Sequence, residues 1–278
     1  MKFSVFTAAT PEWTPDEAAT TLAAQGWDGV EWRITDQEPA DPPGFWAGNR
    51  ATWPLAGLED RLGEIAAVTK AAGLEFSGIG GYARCDDRDN VERMLAATAA
   101  LDAHQVRVTM LPLGSATYPT LFDRARADMG WVAGRAAAYG VKALVELHHR
   151  TIVASASAAI RLVGDLDPAH VGVIHDVGNL VIEGHEDALA GFQMLGAHLA
   201  HVHVKNVAWR QIGTRPDGSA IWAEDWAPLR DGQADIGAYF AALRVHGYDG
   251  WITVEDFSTA LPLAERTAGN LAYLKSLG

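Results

Sequence analysis

The chain has 278 residues, of which 49% are hydrophobic, and carries 22 Lys and Arg against 35 Asp and Glu, a formal net charge of −13. This size and composition suit one large globular domain or two small ones and disfavour disorder. Nucleic acid is disfavoured as a partner, because the negative charge would repel a phosphate backbone over most of the surface. Cys85 is the only cysteine, which excludes an internal disulfide and a thiolate-rich zinc site.

The N-terminal segment MKFSVFTAATPEWTPDE lacks the charged flank, apolar stretch and cleavage site of a secretory signal. No run of about 18 apolar residues is present, as a membrane-spanning helix would require. We therefore expect a cytoplasmic protein without a membrane partner.

Short runs rich in Val, Ile and Phe alternate with longer Ala- and Leu-rich segments of helical period, which is typical of parallel strands joined by helices. The predicted strands are Phe3–Thr7, Gly29–Ile34, Leu74–Ile79, Arg107–Leu111, Ala143–Leu147, Val171–Asp176, Leu199–Val204 and Gly250–Val254. The predicted helices are Pro15–Gln25, Leu58–Ala72, Val91–Leu101, Thr120–Tyr139, Ser155–Leu166, Glu186–Leu195, Asp235–His246 and Pro262–Leu277.

Eight strand–helix units in about 250 residues predict an α/β fold, a (β/α)8 TIM barrel that forms a single domain over residues 1–278. A doubly wound open sheet is the alternative, but the glycines at 78–81 are too short a match to a dinucleotide-binding turn. The two longest predicted loops, at about 35–57 and 206–234, both follow strands. That is the face on which barrels of this class carry their active sites.

Acids and histidines are concentrated at the ends of the predicted strands. Because alternate residues of a strand share a face, Glu146 and His148 point the same way, as do His201, His203 and Lys205. In a barrel these ends converge on one pocket, so we expect the inward-facing side chains to lie close together.

Four of these residues form a metal-compatible set on four successive strands, namely Glu146, Asp176, His203 and Glu255. Any one of them alone would more often be a structural ion pair or a buried histidine, but the four together favour a shared site. Three carboxylates and one imidazole suit Mn²⁺, Mg²⁺ or Co²⁺ better than a structural zinc site, with water or substrate oxygens completing the coordination.

Five segments, together with DGVEWR near the start, resemble the xylose isomerase-like barrel superfamily of sugar isomerases, sugar epimerases and apurinic-site endonucleases. The five segments are VELHHRTI, VIHDVGNL, HVHVKN, PLRDGQADI and GYDGWITVEDF. The resemblance implies that Glu146, Asp176, His203 and Glu255 hold one divalent ion, Mn²⁺ first, with Mg²⁺, Co²⁺, Zn²⁺ and Fe²⁺ as alternatives.

Two departures from the family pattern narrow the function. Many ketose 3-epimerases have a histidine three residues after the metal aspartate, where this chain has Asn179, which can form hydrogen bonds but cannot exchange a proton. The endonuclease branch needs extra histidines and aspartates for a trinuclear zinc cluster. The fourth and seventh strand ends lack them, and the net charge of −13 also disfavours that branch.

Isomerising or epimerising a sugar requires removing a proton from a carbon next to a carbonyl, and a divalent ion stabilises the enediolate that develops. By resemblance to the epimerases, Glu146 and Glu255 are the catalytic pair, one removing the proton and the other returning it. Further substrate-binding residues are predicted at the pocket, with the alternative that Glu31 and Arg33 merely pair with each other. They are Glu31, Arg33, Trp46, His148, Asn179, Lys205, Trp209 and Arg210.

The leading hypothesis is therefore a divalent-metal-dependent isomerase or epimerase of a free sugar or keto-sugar. The same apparatus would serve a lyase, such as an inosose or dehydroshikimate dehydratase or a C-glycoside-cleaving enzyme. A catalytically inactive sugar-binding barrel is a third hypothesis. Related barrels are often homodimers or homotetramers, and the resemblance implies the same possibility here.

Overall fold

Eight parallel strands close into a barrel surrounded by helices in the computed structural model, which describes residues 1–277. The barrel strands are β1 (Lys2–Phe6), β2 (Gly29–Ile34), β3 (Glu75–Gly81), β4 (Gln105–Val108), β5 (Lys142–Glu146), β6 (Val171–Asp176), β7 (Leu199–Val204) and β10 (Trp251–Val254). The helices are α1 (Pro15–Gln25), α2 (Leu58–Ala71), α3 (Arg88–Ala100), α4 (Tyr118–Tyr139), α5 (Ala156–Val163), α6 (Val177–Ile182), α7 (Ala188–Leu195), α8 (Ile236–His246) and α9 (Leu263–Leu277). The predicted single-domain TIM barrel is confirmed.

The fourth strand differs from its prediction. The apolar run after Arg107 suggested a strand over 107–111, whereas β4 covers Gln105–Val108 and pairs in parallel register with β5, Val106 opposite Ala143 and Arg107 opposite Leu144. Pairing with the neighbouring strand, which the local sequence does not reveal, sets these limits. Gln105 and Arg107 consequently share the face directed into the barrel.

The predicted loop at 206–234 is wrong in part, because it contains an antiparallel hairpin of β8 (Asn206–Thr214) and β9 (Ala220–Ala227). Its turn contains Pro216, Asp217 and Gly218, and Gly218 has a φ of +87°, a conformation that glycine adopts without strain. The other predicted loop, 35–57, has no helix or strand of its own in the described part of the chain.

Outward-facing strand residues build the core between the barrel and its helices. Trp32 of β2 is fully buried, packs edge-on against Trp53 and donates a hydrogen bond from Nε1 to Thr69 of α2 at 2.8 Å. At the C-terminal end of the barrel, the interior is instead lined by charged groups. Over residues 1–277, we find no helix with both the length and the apolar character needed to cross a membrane.

We predict that the stability of the folded protein depends on pH because of His175, which lies on the outer face of β6. Its ring is buried against Phe192, and its Nδ1 lies 2.7 Å from the hydroxyl of Tyr239. Burial lowers the pKa of His175 to about 3, against about 6.5 in an unfolded chain. Unfolding therefore takes up a proton below about pH 6.5, and the free energy of unfolding falls as the pH is lowered further.

Because of His175, we expect the free energy of unfolding to fall by about 2 kcal/mol when the pH is lowered from 7 to 5. Urea unfolding of the wild type and of His175→Gln at both pH values measures this, because glutamine does not titrate. The stability difference between the two proteins should shift by that amount in favour of the variant at pH 5. An unchanged difference would show that His175 titrates normally in the folded protein.

Candidate metal centre and active site

Three carboxylates and one imidazole meet at the C-terminal end of the barrel. Glu146 ends β5, Asp176 ends β6, His203 lies in β7 and Glu255 directly follows β10. One donor atom from each lies within 4.8 Å of those from the others, and all four side chains are buried. The structure thus brings together the four residues that the sequence predicted as metal ligands.

The donor atoms fit a divalent cation. His203 Nδ1 is buried without a hydrogen-bond partner among the described residues. It lies 3.2 Å from Glu255 Oε1, 3.7 Å from Glu146 Oε1 and 4.0 Å from Asp176 Oδ2. A buried, unpartnered ring nitrogen and the three carboxylates that it faces form a donor set that suits a metal ion.

Helix α6, which the sequence analysis missed, orients the aspartate. Asp176 is its N-cap residue, and Oδ1 accepts a hydrogen bond from the backbone N–H of Asn179 at 2.9 Å. The other oxygen, Oδ2, is left to face the cluster. The local Asp-x-x-Asn sequence therefore builds the cap and aims the ligand at the same time.

Glu146 is held by two buried donors. Arg107 Nη1 donates to Oε2 at 2.7 Å, and Asn179 Nδ2 donates to Oε1 at 3.1 Å and to the Leu147 carbonyl at 2.9 Å. Asn179 was predicted to bind substrate. The structure instead directs its amide to the backbone and carboxylate of β5, and its Oδ1 to His149 Nδ1 at 2.9 Å.

Sequence reasoning missed Arg107. The guanidinium stacks on Tyr82 at 4.4 Å and on Phe6 at 5.2 Å, and its Nε donates to the Gly81 carbonyl. Its Nη2 is buried and has no partner within residues 1–277. Gly80 makes room for this packing, since a Cβ there would lie 2.0 Å from the Phe6 ring. A charged residue in an apolar strand was the available signal.

Lys205 extends into the carboxylate cluster. Its Nζ lies 2.5 Å from Glu255 Oε2, 2.6 Å from Asp176 Oδ2 and 3.8 Å from Glu146 Oε1. The contact with Asp176 is electrostatic rather than a directed hydrogen bond, because Oδ2 has no well-aligned donor. Gly178 permits the approach, since a Cβ at that position would lie 2.3 Å from Lys205 Cγ.

Burial and the neighbouring charged groups shift the pKa values of the three carboxylates in different directions. Burial raises the pKa of Asp176 to about 7, although Lys205 opposes this. Burial acts in the same direction on Glu255, but the charges of Lys205 and His203 prevail and bring its pKa to about 2. For Glu146, Arg107 overcomes burial and holds the pKa well below its usual range. The two glutamates are thus ionised at neutral pH.

A cavity of about 100 Å³ opens directly onto these groups. A second cavity, of about 280 Å³, shares the lining residues Tyr82, Thr109, Glu146 and His148. The smaller cavity is lined by Phe6, Trp46, Tyr82, Arg107, Thr109, Glu146, His148, Lys205 and Glu255. The structure therefore brings the predicted substrate-binding residues Trp46, His148 and Lys205 to one pocket.

Two predicted substrate-binding residues lie elsewhere, on the hairpin. Trp209 packs against α6, where its Nε1 donates to the Val181 carbonyl at 3.0 Å. Arg210 is exposed and lies 3.5 Å from Asp225 across the hairpin. Neither residue lines either of the two cavities.

One interpretation of the sequence was that Glu31 and Arg33 pair with each other. In the structure they do not. Glu31 is buried and accepts hydrogen bonds from His201 Nε2 and His203 Nε2, both at 3.0 Å. Arg33 donates to Gln37 and Thr52 of the 35–57 loop. Neither lines the cavity: Glu31 lies behind the metal-binding candidates, and Arg33 holds the loop that carries Trp46.

The fold agrees with comparisons to known proteins. The chain belongs to the xylose isomerase-like TIM barrel family, whose model matches residues 20–277. An inosose dehydratase of Lacticaseibacillus casei is 27% identical over 139 residues, which are 48% of this chain and 46% of that enzyme. The similarity thus covers about half of the length of that relative.

Solved structures resemble the chain over its whole length. A 3-keto-D-glucoside 4-epimerase from E. coli has a TM-score of 0.73 at 20% identity and covers 99% of both chains. The IolI protein, crystallised with a zinc atom, has a TM-score of 0.71 at 16% identity, covering 100% of this chain and 98% of its own. At these identities the likeness shows the fold alone.

Proposed function

We propose that this protein is a divalent-metal-dependent isomerase or epimerase of a free sugar or keto-sugar. The observation that carries the proposal is the position of Glu146 and Glu255. Both are buried and both line one small cavity, from β5 and from the end of β10, which are separated by β6 and β7 around the barrel. Removing a proton from one face of a carbon and returning it to the other requires two such bases.

Glu146, Asp176, His203 and Glu255 would hold the metal ion. Mn²⁺ is our choice, because three carboxylates and one imidazole suit a hard ion of flexible geometry. When bound, such an ion supplies the positive charge that makes a proton next to a carbonyl easier to remove. The zinc atom in the structure of IolI, a protein of the same fold, supports the proposal that this chain holds a metal ion.

The remaining cavity residues have defined tasks in this proposal. Glu146 and Glu255 transfer the proton, and Lys205 places its ammonium group beside them. Arg107 Nη2, which is buried and unpartnered in the described chain, donates a hydrogen bond to a substrate oxygen. Trp46, 49% exposed at the rim, offers an aromatic face to the C–H surface of a sugar.

A dehydratase is the second candidate. It is favoured by the similarity to the inosose dehydratase and by His148, which lines the cavity beside Glu146 and could give a proton to a departing hydroxyl. The first step, removal of a proton next to a carbonyl, is common to both candidates. Only the fate of the carbanionic intermediate differs.

Incubation of Mn²⁺-loaded protein with unphosphorylated ketohexoses and 3-keto-glucosides in D₂O tests the proposal. Mass spectrometry and NMR should show deuterium at the carbon next to the carbonyl in a product of conserved skeleton. A product that has lost water would assign the dehydratase instead. Absence of both deuterium and product across the set, with metal bound, would contradict the proposal and favour a binding protein.

A further inference from the structure

A chain of hydrogen bonds crosses the barrel interior beneath the metal-binding candidates. It starts at the backbone carbonyl of Ser77 in β3 and runs through Gln105 of β4, His201 of β7 and Glu31 of β2 to His203. The side chains of Glu31, His201 and His203 are at most 2% exposed, so water does not compete for the bonds among them, whereas Gln105 is half-buried.

The direction of the chain is fixed at Gln105. Its Nε2 lies 2.6 Å from the Ser77 carbonyl oxygen and 2.9 Å from His201 Nδ1. A carbonyl only accepts, so the group that faces it must be the amide NH₂, whose second hydrogen points at His201. His201 Nδ1 is therefore an acceptor, and a neutral His201 ring carries its hydrogen on Nε2.

Glu31 links His201 to His203, the metal-binding candidate. One carboxylate oxygen, Oε2, lies 3.0 Å from both His201 Nε2 and His203 Nε2, and an ionised carboxylate only accepts. Both rings therefore direct an N–H at Glu31. Because Nε2 of His203 holds a hydrogen for Glu31, the nitrogen through which this ring can bind a metal ion is Nδ1, the atom that faces Glu146 and Glu255.

We propose that Gln105 and Glu31 are positioning residues that fix the tautomers of His201 and His203 so that His203 Nδ1 can bind the metal ion. The inference rests on the metal site of the proposed function but not on the reaction. It assigns Glu31 a task other than substrate binding. Gln105 acts from the far end of the chain, through two intervening side chains.

Thr253 allows the direction of the hydrogen bonds at His201 to be reversed by a substitution. Its Oγ1 lies 2.8 Å from His201 Nε2 and 2.6 Å from Ser4 Oγ, and a hydroxyl can donate or accept. In Gln105→Glu an acceptor faces His201 Nδ1, so that the ring should carry its hydrogen there. Nε2 would then accept from Thr253 and lose its bond to Glu31.

The test combines a tautomer measurement with metal affinity. Long-range ¹H–¹⁵N correlation spectra of histidine-labelled, metal-free protein report which nitrogen of His201 is protonated, with the signal assigned by His201→Asn. We expect Nε2–H in the wild type and Nδ1–H in Gln105→Glu. We further expect Mn²⁺ affinity, followed by EPR of the free ion, to fall about tenfold in that variant.

Gln105→Met is the matched control, because it removes the donor without adding an acceptor and should weaken Mn²⁺ binding less than Gln105→Glu. Nδ1–H on His201 of the wild type would overturn the inference, and this readout needs no folded variant. Equal Mn²⁺ affinity in wild type and Gln105→Glu would also overturn it. A wild type that shows Nε2–H on His201 but binds no Mn²⁺ would refute the metal site of the proposed function. It would also refute the role of the hydrogen-bond chain in metal binding, although the direction of the hydrogen bonds would be confirmed.

Discussion

Replacement of Glu146 by glutamine is expected to lower kcat about 10³-fold, the range that one general base contributes. Glutamine keeps the shape of the side chain but cannot accept a proton, and it loses the charge that Arg107 Nη1 binds at 2.7 Å. Steady-state kinetics on the substrate identified by deuterium exchange provides the measurement. Mn²⁺ binding to the same variant must be measured in parallel, because Glu146 is also a metal-binding candidate.

Deuterium exchange makes this prediction specific to a pair of bases. If Glu146 and Glu255 serve opposite faces of the carbon, Glu146→Gln should still exchange the proton of one epimer and lose exchange with the other. Glu255→Gln should show the reverse preference. Retained exchange of both epimers by metal-loaded Glu146→Gln would contradict a catalytic role for this residue.

Glu75→Gln is the control for the effect of removing a carboxylate. Glu75 lies at the opposite end of the barrel, where it pairs with Lys2 at the surface. Its loss should leave kcat and Mn²⁺ affinity unchanged, since surface ion pairs contribute little. A comparable loss of activity in this variant would mean that the change in Glu146→Gln reflects general stability rather than chemistry.

Replacement of Arg107 by methionine is expected to lower the free energy of unfolding of the metal-free protein by about 3–5 kcal/mol. The substitution leaves the Glu146 carboxylate buried without the partner that binds it most closely. Asn179 still donates to the other oxygen, and Lys205 Nζ remains 3.8 Å away. Urea unfolding at neutral pH, with metal removed by chelator, measures the loss.

The double variant Arg107→Met with Glu146→Gln separates the missing charge from the missing packing. Because it removes both members of the ion pair, it should recover a large part of the stability lost in Arg107→Met. Strict additivity of the two single substitutions would contradict the interpretation. In that case the loss would come from the contacts of Arg107 with Phe6 and Tyr82.

The fold and the four metal-binding candidates could be predicted because their signals are local. Alternation of apolar residues identifies a strand, and the C-terminal end of every barrel strand opens on the same face. Glu146, Asp176 and Glu255 each sit at such an end, and the period of two in HVHVK turns His203 inward with them. The hairpin at 206–227 was missed even though Pro216, Asp217 and Gly218 are a turn signal between two β-rich runs.

What the sequence by itself determined is the barrel, its strand ends and the residues that converge there. The tertiary structure decided which of them touch: Glu31 and His201 are 170 residues apart and lie on strands that are not neighbours. The tertiary structure also decided the contact of Arg107 with Glu146, because it depends on the register of β4 against β5. Contacts across the interior depend on barrel closure and register, and no local periodicity encodes them.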